Sequence, residues 1–189
     1  MSKGAIRQLA ASFDIETTGL DADYDTILCA VVKPWMGNPI VFREDKYKRP
    51  RRSENPEMVR SIIEELNKYN TLIAHNGVRF DRPYLNTLAL QYGLDVVLKP
   101  FGNIIDPVLI ARKALKFSSN SLWTLSEFLE TETRKTRVSG KLWRRATIDN
   151  DKQALKEIIE HCIHDVLVLE EVTWKMREFI RRINDWGSA

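Results

Sequence analysis

Residues 13–20 read Phe-Asp-Ile-Glu-Thr-Thr-Gly-Leu, FDIETTGL. They overlap the end of residues 7–15 (RQLAASFDI), a stretch that closes as a short apolar strand. Side chains alternate along a strand, so Asp14 and Glu16 share one face while Phe13 and Ile15 take the other. Two adjacent carboxylates repel one another, and their apolar flanks argue against a solvated edge. A cation resolves that conflict, and hard oxygen donors at this spacing suit Mg²⁺ or Mn²⁺. The structural alternative places one acid in solvent at the strand end and uses the other to cap the Thr17–Thr18–Gly19 turn.

Beyond this stretch, residues 26–34 (TILCAVVKP) predict a second strand rich in β-branched residues. Trp35 to Pro39 (WMGNP) reads as a turn, and residues 40–43 (IVFR) as a third strand. Strands one to three then form an antiparallel meander. Asn55 offers a helix cap, Pro56 suits the first helical position, and Met58 to Leu66 repeats at helical spacing. Residues 71–75 (TLIAH) predict a short buried strand, followed by a helix from about Pro83 to Tyr92. Asp106 to Leu115 and Leu122 to Leu129 predict further helices. Residues 151–182 predict a long helix with Leu155, Ile158, Ile159, Cys162, Val166 and Leu169 along its apolar stripe. Strands flanked by helices in one unit predict an α/β layered fold.

A chain of 189 residues predicts a single domain over 1–189, too short to hold a polymerase as well. No apolar run approaches the roughly 18–20 residues of a membrane span. Lys3 and Arg7 precede Asp14 and Glu16, so no secretory leader is expected. Cys29 and Cys162 are too few for a disulfide framework or a zinc cage, and a reducing cytoplasmic setting is expected. The net charge of +3 says less than its distribution. Arg43 to Arg52 holds six basic residues against two acidic, and Arg134 to Arg145 holds six and none. The second run contains Trp143, and basic residues with an aromatic can track a phosphate backbone and stack a base. The ordinary alternative for such runs is a solvated loop.

Two further segments carry candidate chemistry. Asp81 follows Phe80 at a strand-to-helix junction, after His75–Asn76–Gly77. Capping is the common use of Asp there, and Asn-Gly is a common turn. His161 and Asp165 lie one turn apart on one face of the last long helix, beside its apolar stripe. A carboxylate there needs a partner, which a metal ion or His161 itself can provide. His164 points about 60° away and reads as peripheral.

Taken in chain order, the segments FDIETTGL (13–20), HNGVRFDRPYL (75–85) and HCIHDVLVLEEV (161–172) resemble the three motifs of the DEDD superfamily. These are the DnaQ-like 3′→5′ exonucleases, with a ribonuclease H-like fold, and the resemblance spans about residues 8–175. Asp106 to Arg112 (DPVLIAR) and Leu122 to Leu129 are similar to the middle of exonuclease domains of family B DNA polymerases. Asp106 itself reads as structural. The resemblance implies a mixed sheet flanked by helices, with Asp14, Glu16, Asp81 and Asp165 holding two divalent ions, Mg²⁺ or Mn²⁺. One ion would activate water and the other would stabilise the leaving 3′ oxygen. Setting these four acids aside leaves a frame more basic than the net charge suggests.

One position departs from the pattern. The branch that uses Tyr to orient water places it four residues before the last Asp, whereas the His branch places its His five before. Here His161 stands four before Asp165. An imidazole can take a proton at neutral pH, which implies His161 as general base. The resemblance also places Thr17, Thr18, Gly19 and Leu20 along the 3′-terminal nucleotide, and Asn76 and Phe80 near the scissile phosphate. Core packing is the alternative for Phe80, and a buried anchor is the alternative to base stacking for Trp143. The implied substrate is single-stranded DNA or RNA with a free 3′ end, DNA favoured, with a polymerase or repair factor as partner. Two rivals are a nucleic-acid-binding module impaired at His161 and a structure-specific endonuclease on the same fold.

Overall fold

The computed structural model describes residues 10–47, 55–98, 103–136 and 138–182. The strand that carries Asp14 and Glu16, β1 (Ala10–Thr17), lies at the centre of a five-stranded sheet. Its companions are β2 (Ile27–Pro34), β3 (Ile40–Arg43), β4 (Thr71–Ile73) and β5 (Asn103–Ile105), in the order β3-β2-β1-β4-β5. β1 and β3 pair antiparallel with β2, whereas β1, β4 and β5 run parallel. The mixed α/β sheet with its antiparallel first three strands is the architecture expected from the sequence. Parallel strands need long crossovers; among the described residues one α-helix lies in each of the two, β1 to β4 and β4 to β5, and the other helices follow β5.

Those helices are α1 (Pro56–Leu66), α2 (Asp81–Gln91), α3 (Pro107–Ala114), α4 (Leu122–Phe128), α5 (Gly140–Thr147), α6 (Lys152–Lys175) and α7 (Arg177–Arg182). α1 buries Met58, Val59, Ile62, Ile63 and Leu66, one stripe at helical spacing. Together with Leu85 and Leu88 of α2, this stripe covers Phe13 and Ile15 on one face of β1. Each such side chain stabilises the fold by roughly 1.5–3 kcal/mol. α6 covers the opposite face, where Leu155, Ile158, Ile159, Cys162 and Val166 meet Leu28, Cys29 and Val31. Its Asp151 cap accepts from the N–H groups of Gln153 and Ala154. Among the described residues no helix is long and apolar enough to cross a membrane.

A bulge interrupts the β1–β2 ladder beside the acidic pair. Glu16 is paired with Cys29 but Thr17 with Ile27, which leaves Leu28 as an extra residue on β2. Leu28 and Cys29, although consecutive, both enter the core beneath α6.

Several boundaries differ from the sequence expectation. β1 continues to Thr17, and residues 7–9 lie outside the described residues. α2 starts at Asp81 rather than Pro83. The long helix stops at Lys175, and α7 resumes after Met176. Asn55 stands at the cap position of α1 without capping it; its amide donates to Met58 Sδ instead. β5 was not expected, because Asn103 opens it and Asp106 follows it, leaving two apolar residues to mark it. The run Arg134–Arg145 is not all loop. Ser139 caps Leu142 N–H, and α5 packs Ala146, Leu142 and Trp143 against the core below α6. Of the run Arg43–Arg52, residues 48–52 lie outside the described residues.

Candidate active site

Alternation along β1 sends Asp14 and Glu16 to the face that α6 covers. α6 brings His161, Cys162 and Asp165 there from successive turns. Cys162 Sγ lies 3.5 Å from Asp14 Oδ2. His161 Nε2 lies 3.9 Å from Glu16 Oε1 and 3.7 Å from Asp165 Oδ2. Asp81, at the start of α2, accepts the Ile15 N–H at 3.2 Å and so reaches β1 between the two acids. The structure thus brings Asp14, Glu16, Asp81, His161 and Asp165 together from three segments far apart in the chain.

Crowding of acids in a buried setting shows in their protonation. Burial pushes the Asp14 carboxyl up to about 7, and the nearby Asp165 charge adds to the rise. Burial followed by the Asp14 charge pushes Glu16 up to about 10. Asp81 also stands well above the usual carboxylate range, from burial and then from Asp14. Burial lowers His161, so its imidazole is neutral at physiological pH. Asp165 Oδ1 is buried and has no hydrogen-bond partner. Carboxylates held together at this cost, with an orphaned buried oxygen among them, fit a divalent cation.

Two neighbours of the cluster were not singled out from the sequence. Lys135 forms an ion pair with Asp165 Oδ2. Thr136 Oγ1 lies 2.6 Å from His161 Nδ1 and fixes the ring. Both sit in the basic run preceding α5, where no spacing rule ties them to α6. Cys162 was read only as part of an apolar stripe, yet it touches Asp14.

The remaining candidates divide. Thr17, Thr18, Gly19 and Leu20 follow the acidic pair, and only Leu20 is fully offered to solvent, 79% exposed. The Thr17 hydroxyl donates to Gly19 O, and that of Thr18 to Asp25 Oδ1. A Cβ at Gly19 would stand 2.3 Å from Asp25 Oδ2, so a side chain there would displace the carboxylate that accepts from Thr18. Asn76 adopts a left-handed backbone, φ 66°, and its carbonyl accepts from Arg79 and Phe80. The Phe80 ring packs on the core and on Tyr84, 5.4 Å between centroids, as its structural alternative expects. Trp143 donates Nε1–H to Thr17 O at 3.1 Å, which ties α5 to the end of β1. Its ring also lines a cavity of about 310 Å³ with Val138, Ser139, Gly140 and His161. His164 is exposed.

Comparison with known proteins places the chain. Residues 11–177 match the RNase H superfamily. This chain belongs to the RNase H superfamily. Over 144 residues it is 29% identical to the PolC-type DNA polymerase III of Ureaplasma parvum, a match covering 64% of this chain and 10% of that protein. Over 116 residues it is 28% identical to a DNA polymerase of Methanocaldococcus jannaschii, covering 58% and 7%. The chain therefore spans a tenth or less of these curated relatives. Among solved structures, the family B DNA polymerase of Pyrobaculum calidifontis superimposes with a TM-score of 0.72 at 17% identity, covering 89% of this chain and 24% of that one. At that identity the likeness speaks for the fold alone. The motif resemblance to exonuclease domains of family B polymerases agrees with these matches. Superfamily and relatives together support a nuclease.

Proposed function

We propose that this RNase H superfamily member is a metal-dependent 3′→5′ exonuclease that hydrolyses single-stranded nucleic acid to 5′-mononucleotides, DNA favoured over RNA. The observation that carries the reading is the convergence of Asp14, Glu16, Asp81 and Asp165 with a neutral His161. The four carboxylates would hold two divalent ions, Mg²⁺ or Mn²⁺, which supply positive charge for water activation and for the leaving 3′ oxygen.

The chain's own groups do the rest. Where Nδ1 carries the imidazole proton and donates it to Thr136 Oγ1, His161 Nε2 is left as an open acceptor. That nitrogen faces the gap between Glu16 and Asp165, where it takes the proton of the attacking water. Lys135 brings an ammonium to the same gap, able to meet a phosphate oxygen entering it. Thr17, Thr18 and Gly19 hold the turn that presents Leu20 to the terminal nucleotide. Asn76 stands on the loop before Asp81, set to position the strand near the scissile phosphate. Phe80 supports that loop from the core side. The polymerase relatives support a working partnership with a polymerase, in one chain or between chains.

The test uses 5′-labelled single-stranded DNA and RNA with Mg²⁺ or Mn²⁺, beside EDTA and Asp14→Ala. A ladder that shrinks from the 3′ end, absent from both controls, is the expected result. Intact oligonucleotides retained by the protein would point to a binding module, and cut circular strands to an endonuclease.

A further inference from the structure

The acidic cluster holds one donor that an Mg²⁺ site does not use. Cys162 Sγ lies 3.5 Å from Asp14 Oδ2, and ligand atoms of Asp14, Glu16 and Cys162 all lie within 4.8 Å of one another. Sulfur and oxygen bound to one tetrahedral Zn²⁺, at their usual bond lengths, stand about 3.6 Å apart. The observed Sγ–Oδ2 separation therefore needs almost no adjustment. Asp165 engages the Lys135 ammonium through Oδ2 alone, and its buried Oδ1 has no hydrogen-bond partner. Cys29 stands opposite Glu16 in the ladder and beside Cys162, yet it lies outside the donor set.

We infer that Asp14, Glu16 and Cys162 form a second, sulfur-containing mode of cation binding, which takes a thiophilic divalent ion such as Zn²⁺ or Cd²⁺ and competes with the hard ion of the nuclease site. The inference rests on reading the acidic cluster as a cation site. Thiolate sulfur selects soft ions, whereas carboxylate oxygen alone suits Mg²⁺ and Mn²⁺. Binding exchanges the thiol proton for the metal, and the proton passes to solvent. A soft ion held this way withdraws Asp14 and Glu16 from the hard-ion site, so zinc acts on this protein as an inhibitor.

Cd²⁺ is the probe, titrated into the full chain stripped with EDTA and kept reduced with a phosphine. A cadmium–thiolate charge-transfer band in the ultraviolet is expected, with a cadmium-113 resonance at the shift of one sulfur donor. Both persist in Cys29→Ser. In Cys162→Ser and in Cys162→Ala, Cd²⁺ affinity falls at least as far as on losing an outer-shell partner, roughly 10–100-fold, and the band disappears. Excess Mg²⁺ displaces Cd²⁺ from the wild-type chain. A band that survives both Cys162 substitutions, or that depends on Cys29 instead, overturns the inference, as does a band indifferent to Mg²⁺. Calorimetry separates the two levels of the argument. If Mg²⁺ binds and Cd²⁺ gives no thiolate band, the sulfur mode fails while the exonuclease reading stands. If neither ion binds, both fail.

Discussion

Asp81 and Asp106 are both buried aspartates at the start of a helix, 3% and 1% exposed, yet their surroundings differ in sign. Asp106 accepts main-chain N–H groups from Asn76 at 3.0 Å, Val78 at 3.4 Å and Val108 at 3.0 Å. Burial raises its carboxyl, and every other main influence opposes the rise. Asp81 accepts from Ile15 N–H but faces Asp14, whose charge adds to the effect of burial. One carboxylate is satisfied by the fold, and it welds the loop after β4 to α3. The other is left needing a cation. Residue type and burial are the same in both places; the sign of the local field separates a structural acid from a catalytic candidate.

His161 shares the Asp81 side of this contrast, and the largest effect is expected there. His161→Ala should lower turnover by roughly 10²–10⁴ while metal affinity is retained, read by single-turnover kinetics beside Mn²⁺ calorimetry. Unchanged turnover would remove the general base from the scheme. Asp81→Asn should cost roughly 10²–10³ in turnover with no loss of melting temperature, because it removes a like charge from a crowded cluster. Asp106→Ala should do the reverse. It strips a cap and two loop anchors, so stability falls by about 1–3 kcal/mol in denaturant melts, with turnover per folded molecule within about tenfold of wild type. The contrast breaks if Asp106→Ala costs more turnover than Asp81→Asn.

The smallest expected effect concerns protons. Raised carboxyls keep their protons near neutrality, so a divalent ion must displace them. Mg²⁺ binding should release protons and tighten as pH rises through about 7, the value to which Asp14 is lifted. Without metal the same shift runs the other way for stability. A raised carboxyl stabilises the fold below its ordinary value near 4, and that contribution is lost as pH rises toward 7. Calorimetry in buffers of different ionisation enthalpy, with EDTA melts across this range, reads both signs.

Much of this was legible in the sequence. Alternation in FDIET placed Asp14 and Glu16 on one face, and the helical repeat put His161 and Asp165 one turn apart. β2, β3 and α1 stood out because their apolar periods are long enough to read. β5 escaped, since its three residues gain their strand character from pairing with β4. α5 escaped because its basic residues masked a short amphipathic helix capped by Ser139. Lys135 and Thr136 could not be assigned to the site, since their meeting with α6 spans 30 and 25 residues and follows only from the path of the loop. Cys162 was visible as an apolar residue, but its contact with Asp14 crosses 148 residues and depends on the sheet.

The bulge at Leu28 carries a consequence for how this gene can change. Because Glu16 meets Cys29 and Thr17 meets Ile27, the chain between the acidic pair and β2 is counted to the residue. Losing the Leu28 codon would erase the extra residue and change the parity of the connection. The Leu20 turn would then be drawn against the ladder that fixes Glu16. A codon gained at Asp23–Tyr24, where both residues are exposed, falls in a surface turn and leaves the count of the ladder unchanged. Lineages of this protein should therefore drift freely in length at the tip of that loop and hold their count unchanged at its root.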